Sequence, residues 1–296
     1  MMDTERLRLA VQKSGRLAEG SFELLGKCGL TISRGRDKLY ARAKELPIDI
    51  LLVRDDDIPV LVADGACDIG ILGENVFEEF RLGEGKGRLP DAIRKLNFAR
   101  CRLMLAAPKE WGETSLQSFT NKRVATSYPE LTGAYFREKG IDALPVMMSG
   151  SVEVAPRLKI ADAVCDIVST GATLDANGLT PAEIVFKSEA VLIGQATDLS
   201  DQKQATLAAL LKRVDGVIAS KEAKYVMMNA PRSAVDEITS LLPGAKAPTI
   251  LELAGDGDSV AIHAVCQEDV FWSTLEKLKA QGASAILVLP IEKMMP

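Results

Sequence analysis

Histidine is almost absent from this chain: its 296 residues contain one, His263. That excludes Ser–His or Cys–His catalysis not built on His263, and every metal site made of several histidines. Cysteine is sparse and unpatterned. Cys28, Cys67, Cys101, Cys165 and Cys266 are odd in number and include no C-x-x-C pair for a metal or for redox exchange. They read as small buried hydrophobes in a reducing compartment. Basic excess is missing too: 36 Lys+Arg face 41 Asp+Glu, a net charge of −5. A general nucleic-acid or anionic-membrane binder needs an extended basic face, so neither class is expected, although a local basic pocket is compatible with this balance. No apolar run is long enough to span a bilayer and the N-terminus has no signal-like apolar region, so the expected location is cytoplasmic.

What is present is the mix of a soluble globular protein, 47% hydrophobic and 26% charged, with length for two or three domains. Strand-like runs alternate with helical ones from the start. Leu7–Val11, Ile48–Val53 and Cys67–Leu72 read as strands, Gly20–Cys28 and about Asp57–Ala66 as helices, which implies a mostly parallel α/β sheet. Asp64-Gly-Ala-Cys67-Asp68-Ile69-Gly-Ile-Leu-Gly73 matches Asp162-Ala-Val-Cys165-Asp166-Ile167-Val-Ser-Thr-Gly171 at five positions, and Pro59-x-Leu61 and Pro156-x-Leu158 stand upstream in nearly the same relation. Two copies of one helix–strand–loop unit suggest two similar lobes across a cleft; the alternative is chance recurrence of a common vocabulary. Arg102–Ala107 and Arg123–Thr126 open the second lobe, and Ile184–Phe186 and Ala190–Ile193 read as the return to the first. Asp201–Val214 is helical. Beyond it, Tyr225–Met228, Ser233–Leu242, Thr249–Leu253, Ser259–Val265, Asp269–Gln281 and Ala285–Leu289 run β-α-β-β-α-β, a ferredoxin-like unit with no catalytic constellation. The expected domains are residues 1–103 with 182–222, residues 104–181, and residues 223–296.

The chemistry-bearing residues cluster at strand ends. Asp166-Ile-Val-Ser169-Thr170-Gly171-Ala172-Thr173 ends a buried strand in three hydroxyls and a glycine, suited to phosphate oxygens. The alternative is a plain strand-to-helix turn capped by Thr173. Gln12-Lys13-Ser14-Gly15-Arg16 and Arg54-Asp55-Asp56-Asp57 also follow strands, where an open α/β sheet places its ligand crevice. Either Asp56 or Asp57 reads as a helix cap. Gly73-Glu74-Asn75 is the matching loop of the first repeat copy, and Tyr128-Pro129 is a ribose or base contact or simply a turn. His263 reads as a packed or surface residue.

Taken together, Gln12–Arg16, Val53–Ile58, Cys67–Asn75, Ala125–Pro129, Gly150–Pro156 and Asp162–Gly178, with Pro243-Gly-Ala, Pro248-Thr-Ile, Ala285-Ile-Leu and Ile291-Glu-Lys near the C-terminus, resemble the long form of the ATP phosphoribosyltransferase family. The resemblance implies a two-lobed catalytic region similar to type II periplasmic binding proteins, followed by an ACT-like regulatory domain. It implies transfer of the phosphoribosyl group of phosphoribosyl pyrophosphate to N1 of ATP, the committed step of histidine biosynthesis, with Mg²⁺ held largely by the substrates. By the same resemblance Lys13, Arg16 and Arg54 would meet the pyrophosphate and ATP phosphates. Glu153, Asp162, Asp166, Ser169, Thr170, Gly171, Ala172 and Thr173 would hold the ribosyl donor. Gln12, Ser14, Gly15, Asp68, Gly73, Glu74 and Tyr128 would hold ATP. Asn229, Thr249 and Ala285 would bind histidine as inhibitor, with AMP as a candidate second one, in a homohexamer that exchanges with a dimer. Competing classes are a two-lobed solute-binding sensor, disfavoured by the missing signal peptide, and a purely regulatory protein, disfavoured by the intact Asp162–Thr173 segment.

Overall fold

In the computed structural model the described residues are 5–34, 39–83, 89–168, 171–195, 199–221, 223–242, 248–254 and 256–294. The chain divides into two units, Met1–Leu207 and Ala208–Pro296.

The first unit holds two sheets. Strands β1 (Leu7–Gln12), β2 (Ile32–Arg34), β3 (Tyr40–Ala43), β4 (Ile48–Val53), β5 (Ile69–Gly73) and β6 (Asp91–Lys95) begin the first. The second is built from β7 (Cys101–Pro108), β8 (Arg123–Thr126), β9 (Leu144–Met147), β10 (Ala163–Val168) and β11 (Leu179–Ser188); β12 (Ala190–Gly194) then returns to the first. The sheet orders are β2-β3-β4-β1-β5-β12-β6 and β11-β7-β10-β8-β9. Leu7, Leu9, Ala10, Val11 and all of β12 are buried, the continuous apolar pattern of strands covered on both faces. Helices α1 (Arg16–Lys27), α2 (Ile58–Ala63), α3 (Glu74–Gly83), α4 (Pro129–Lys139) and α5 (Ala172–Ala176) pack around them, and α6 (Asp201–Lys221) crosses the division between the units.

The two sheets share a five-stranded plan. In β4-β1-β5-β12-β6 the first three strands are mutually parallel and the last two antiparallel; β9-β8-β10-β7-β11 repeats the order and every orientation. The duplication expected from the sequence is present, but its alignment shifts by four residues. Asp68 accepts the Arg8 N–H (2.7 Å) while its own N–H reaches the Arg8 carbonyl, and the Arg8 guanidinium also donates to the Gly65 carbonyl (2.9 Å). Asp162, not Asp166, repeats this clasp with Arg123 and the Lys159 carbonyl. Gly65 and Lys159 even share a positive φ, 73° and 59°. The local identity of Cys-Asp-Ile was therefore a misleading guide to register.

The chain passes between the sheets twice, through residues 96–100 and at Glu189. Because β11 pairs with β7 along its length, Ile184–Phe186 belongs to the second sheet, and the return to the first begins at β12 rather than after Leu179. The second sheet accordingly spans 101–188, wider than the expected 104–181.

The second unit contains β13 (Ala223–Pro231), α7 (Val235–Leu241), β14 (Thr249–Leu253), β15 (Asp256–Gln267), α8 (Glu268–Ala280) and β16 (Ser284–Pro290). The sheet is antiparallel in the order β14-β15-β13-β16, the ferredoxin-like arrangement read from the sequence. Val226, Met228, Val260 and Ile262 form one core with Ile238, Phe271 and Leu278 from the helices. After α8, Gly282 at φ 85° supplies the left-handed conformation that ends the helix.

Candidate active site

Parallel strands put their C-terminal ends at one edge of each sheet, and the expected loops lie there. After β1, Lys13 donates its backbone N–H to the Val53 carbonyl (2.8 Å), and Gly15 at φ 94° turns the chain into α1 so that exposed Arg16 is its first residue. Gln12 ends β1 and Ser14 is exposed in the turn. Gly73 ends β5, where a Cβ would lie 2.5 Å from Asn75 Oδ1, and Glu74 opens α3. After β4, Arg54 is exposed and donates to Asp56 (2.8 Å); Asp57 stands at the N-cap of α2, without a side-chain capping hydrogen bond.

The two lobes meet around Tyr128. Burial pushes its phenol strongly up, reinforced by the negative charges of Asp55 and Asp166, while a hydrogen bond with Asn75 opposes the shift. Asp55 and Asn75 come from the first lobe, Tyr128 and Asp166 from the second. The phenol thus stays protonated across the working pH range, which leaves its O–H able to donate at the cleft.

Two cavities adjoin at Val168, the last residue of β10. A polar one of about 150 Å³ is lined by Glu153, Asp166, Gly171 and Thr173 among others. There burial pushes the Asp166 carboxyl up; the Ile167 N–H (2.7 Å) counters this, and the charge of Glu153 adds to it. Gly171, at φ 83°, precedes α5 and is its N-cap in place of Thr173; Ala172 is the first residue of that helix. Ser169 and Thr170 lie outside the described residues. The larger cavity, about 430 Å³, sits where the chain crosses between the sheets and is lined by Lys95, Arg100, Arg102, Lys187, Glu74 and Glu189 among others. Arg16 reaches toward it: burial pushes the Cys101 thiol up, and Ser188 and the Arg16 charge pull it back.

Two expected site residues are not there. Asp162 precedes β10 and Asp68 precedes β5, so each stands at the opposite end of its strand from the ligand edge, roughly 16–20 Å away. The Arg123 side chain and N–H hold the Asp162 carboxyl below its usual range. Asp68 is buried; burial alone would raise it, but Arg8 and Lys203 (2.9 Å) outweigh that and hold it low. Both acids are spent on clasping the fold, which corrects their assignment to ribosyl-donor and ATP binding.

Other residues at the cleft escaped the sequence reading. Ser188 Oγ donates to Asn75 Oδ1 (2.7 Å) and accepts the Asn75 N–H (3.0 Å), a buried link between β11 and α3. The Glu79 carboxylate, from α3 in the first lobe, accepts the N–H groups of Glu130 and Leu131 (2.9 and 2.8 Å) in the first turn of α4 in the second. Arg102 and Lys187 were not among the expected site residues. The one signal for them was two cations, Arg100 and Arg102, flanking Cys101 at a strand start.

In the second unit, Asn229 on β13 and Thr249 on β14 share one sheet face, because their ladder partners on β15 are Ala261 and His263. Ala285 on β16 has a positive φ of 46° and lines a separate cavity of about 450 Å³ under α8. His263 Nδ1 lies 2.5 Å from the Tyr225 hydroxyl. Among the described residues, no group of three or more His, Cys, Asp or Glu could hold a metal ion, and no helix is long and apolar enough to cross a membrane.

Comparison with known proteins agrees with this architecture. Residues 54–216 match the ATP phosphoribosyltransferase family and residues 220–293 match the HisG C-terminal domain. An ATP phosphoribosyltransferase of Maricaulis maris (strain MCS10) is 54% identical over 292 residues, covering 99% of both chains. Among solved structures, the ATP phosphoribosyl transferase (HisG:HisZ) complex from Thermotoga maritima is similar with a TM-score of 0.57 and 27% identity, over 71% of this chain and 98% of that one. The chain belongs to the ATP phosphoribosyltransferase family, in the long form that carries a C-terminal regulatory domain.

Proposed function

We propose that the cleft joins ATP and phosphoribosyl pyrophosphate through adenine N1, releasing pyrophosphate, with Gly171 and Thr173 beside the donor's 5-phosphate and Asp166 and Glu153 near its ribose. The observation that carries the reading is the pair of adjoining cavities at Val168, one small and polar, one large and cationic. Two anionic substrates that must meet at one carbon call for such neighbours. Adenine N1 has a free lone pair at neutral pH, so it attacks C1 of the ribose without a general base, in keeping with a chain that has one histidine. The barrier lies in the departing pyrophosphate and the cation-like sugar. Lys13, Arg16 and Arg54 stabilise that departing charge, and closure of the lobes aligns N1 with C1. Tyr128 donates a hydrogen bond at the meeting point. Gln12, Ser14, Gly15, Gly73 and Glu74 border the nucleotide.

The donor set fits a substrate-carried Mg²⁺. Glu153 and Asp166 are an acidic pair whose mutual repulsion a cation relieves, and one or two carboxylates are what a phosphate-bound Mg²⁺ takes from a protein. When bound, the ion neutralises charge on the pyrophosphate. Regulation by histidine through Asn229, Thr249 and Ala285, and a hexamer exchanging with a dimer, belong to the same reading.

The test is an ultraviolet assay of ATP, phosphoribosyl pyrophosphate and Mg²⁺. Wild-type protein forms phosphoribosyl-ATP, and Arg16→Ala lowers turnover by at least ~10²-fold, the scale for loss of a charge-stabilising donor. No product from the wild type, or wild-type kinetics from the variant, sinks the assignment.

A further inference from the structure

Arg102 and Lys187 stand directly opposite each other on the antiparallel pair β7 and β11. Like charges in that position repel and weaken a sheet, so the arrangement costs the fold something. Both side chains are exposed and open into the 430 Å³ cavity. The other two cations there are engaged: Lys95 pairs with Glu74 (2.9 Å) and Arg100 Nε lies 4.0 Å from Glu189. Arg102 and Lys187 have no ion pair among the described residues. The cavity also holds a buried acceptor, since Glu189 Oε2 has Arg100 as an ion-pair partner at 4.0 Å but makes no hydrogen bond. Two uncommitted cations and one unsatisfied oxygen describe a place for a ligand with a polyanionic end and hydroxyl or amino donors.

We propose that Arg102 and Lys187 are the seat of the nucleotide's triphosphate, and that they set the preference for ATP over nucleotides with fewer phosphates. The inference rests on the proposed reaction, and size decides which substrate it concerns. The neighbouring 150 Å³ cavity is too small for a nucleoside triphosphate, whereas 430 Å³ lies within the range of ligand pockets for molecules of that size. The acids of the smaller cavity, Glu153 and Asp166, suit ribose hydroxyls rather than a triphosphate. The planar fork of Arg102 suits two phosphate oxygens at once, and the ammonium of Lys187 a single point of high charge. A nucleoside monophosphate offers this pair one phosphate where a triphosphate offers three, and so gains less from the second cation.

The full-length wild type and Lys187→Met, Arg102→Met and Lys187→Arg variants would be compared for kinetics, thermal unfolding and direct calorimetric binding of ATP and AMP. Lys187→Met and Arg102→Met are expected to raise KM for ATP at least ~10-fold, leave KM for phosphoribosyl pyrophosphate within about twofold, and weaken AMP binding less than ATP binding. Their ligand-free Tm should stay level or rise, because each removes the repulsion. Lys187→Arg should keep most ATP affinity. An active wild type whose ATP KM is untouched by both variants overturns the seat while leaving the reaction standing. A rise confined to the KM for phosphoribosyl pyrophosphate overturns the nucleotide assignment, and a lowered ligand-free Tm overturns the like-charge argument. An inactive wild type overturns the reaction itself, and with it the seat.

Discussion

Four aspartates of the first unit do different jobs, two as clasps and two at the cleft, decided by their neighbours. Asp68 lies between Arg8 and the buried Lys203, so its negative charge is part of the fold. Asp68→Asn leaves that ammonium uncompensated, and breaking a buried pair from one side costs about 3–5 kcal/mol. Since its folded-state titration lies below the ordinary carboxylate range, the stabilisation is present above about pH 4 and fades as pH falls. Thermal unfolding of Asp68→Asn should therefore show a large Tm loss at pH 7 that shrinks toward pH 3, with an unchanged KM for ATP at permissive temperature. Asp166 is the reverse case. Its folded-state titration is raised, so its contribution is full at low pH and is lost as pH rises through the raised value. Asp166→Asn should match the wild type near pH 4 and exceed it in Tm at pH 7, while turnover falls. A variant that gains no stability at pH 7 would show that Asp166 is not strained by ionisation. Asp162 clasps Arg123, and Asp55 faces Tyr128.

At the level of elements, α3 and α4 carry one direct tie between the lobes, beside the Ser188–Asn75 link. Glu79 accepts two free N–H groups in the first turn of α4, the service an N-cap side chain performs, but from the other lobe. Glu79→Ala should cost about 1 kcal/mol, seen as a Tm loss of roughly 2–4 °C. It should also raise KM for both substrates with a smaller effect on turnover, because the lobes are less firmly held while the cleft residues are intact. A Tm loss with unchanged KM values would make the tie a cap alone. This contact was invisible in the sequence, where Glu79 is one acid in a run of charge on an amphipathic helix. The main buried strands and several helices were legible, because apolar runs of four to six residues and a 3.6-residue period are local properties. The trade of Ile184–Phe186 from one sheet to the other was not, because a strand's partner depends on residues 80 positions away.

For the whole molecule, the catalytic and regulatory units are separate folds joined along α6. The regulatory sheet places Asn229 and Thr249 on one face, while Ala285 lines the cavity under α8. If histidine acts through the first two, Asn229→Ala and Thr249→Ala should lift the histidine concentration for half inhibition at least ~10-fold and leave turnover without histidine within about twofold. Inhibition curves that overlay the wild type would move the effector elsewhere. A shift toward the less active state requires only that histidine bind it more tightly, and its size is bounded by that difference.

The net charge of −5 and the lone histidine were informative from the start. They removed imidazole catalysis and a general basic face, and both fit a displacement run by local cations. By itself the sequence determined the main buried strands, the two-lobed duplication, the ferredoxin-like tail and the glycine loops at strand ends, since each is written in short-range pattern; β2, β3, β6, β9, α3 and α4 were not read from it. Tertiary structure alone decided which end of a strand each acid occupies relative to the cleft, and that Asp68 and Asp162 are clasps. The physical reason is that Arg8, Lys203 and Arg123 reach those acids from 39 to 135 residues away. It also decided that Arg102 and Lys187 share one cavity, because cross-strand register brings together charges that lie 85 residues apart in the chain.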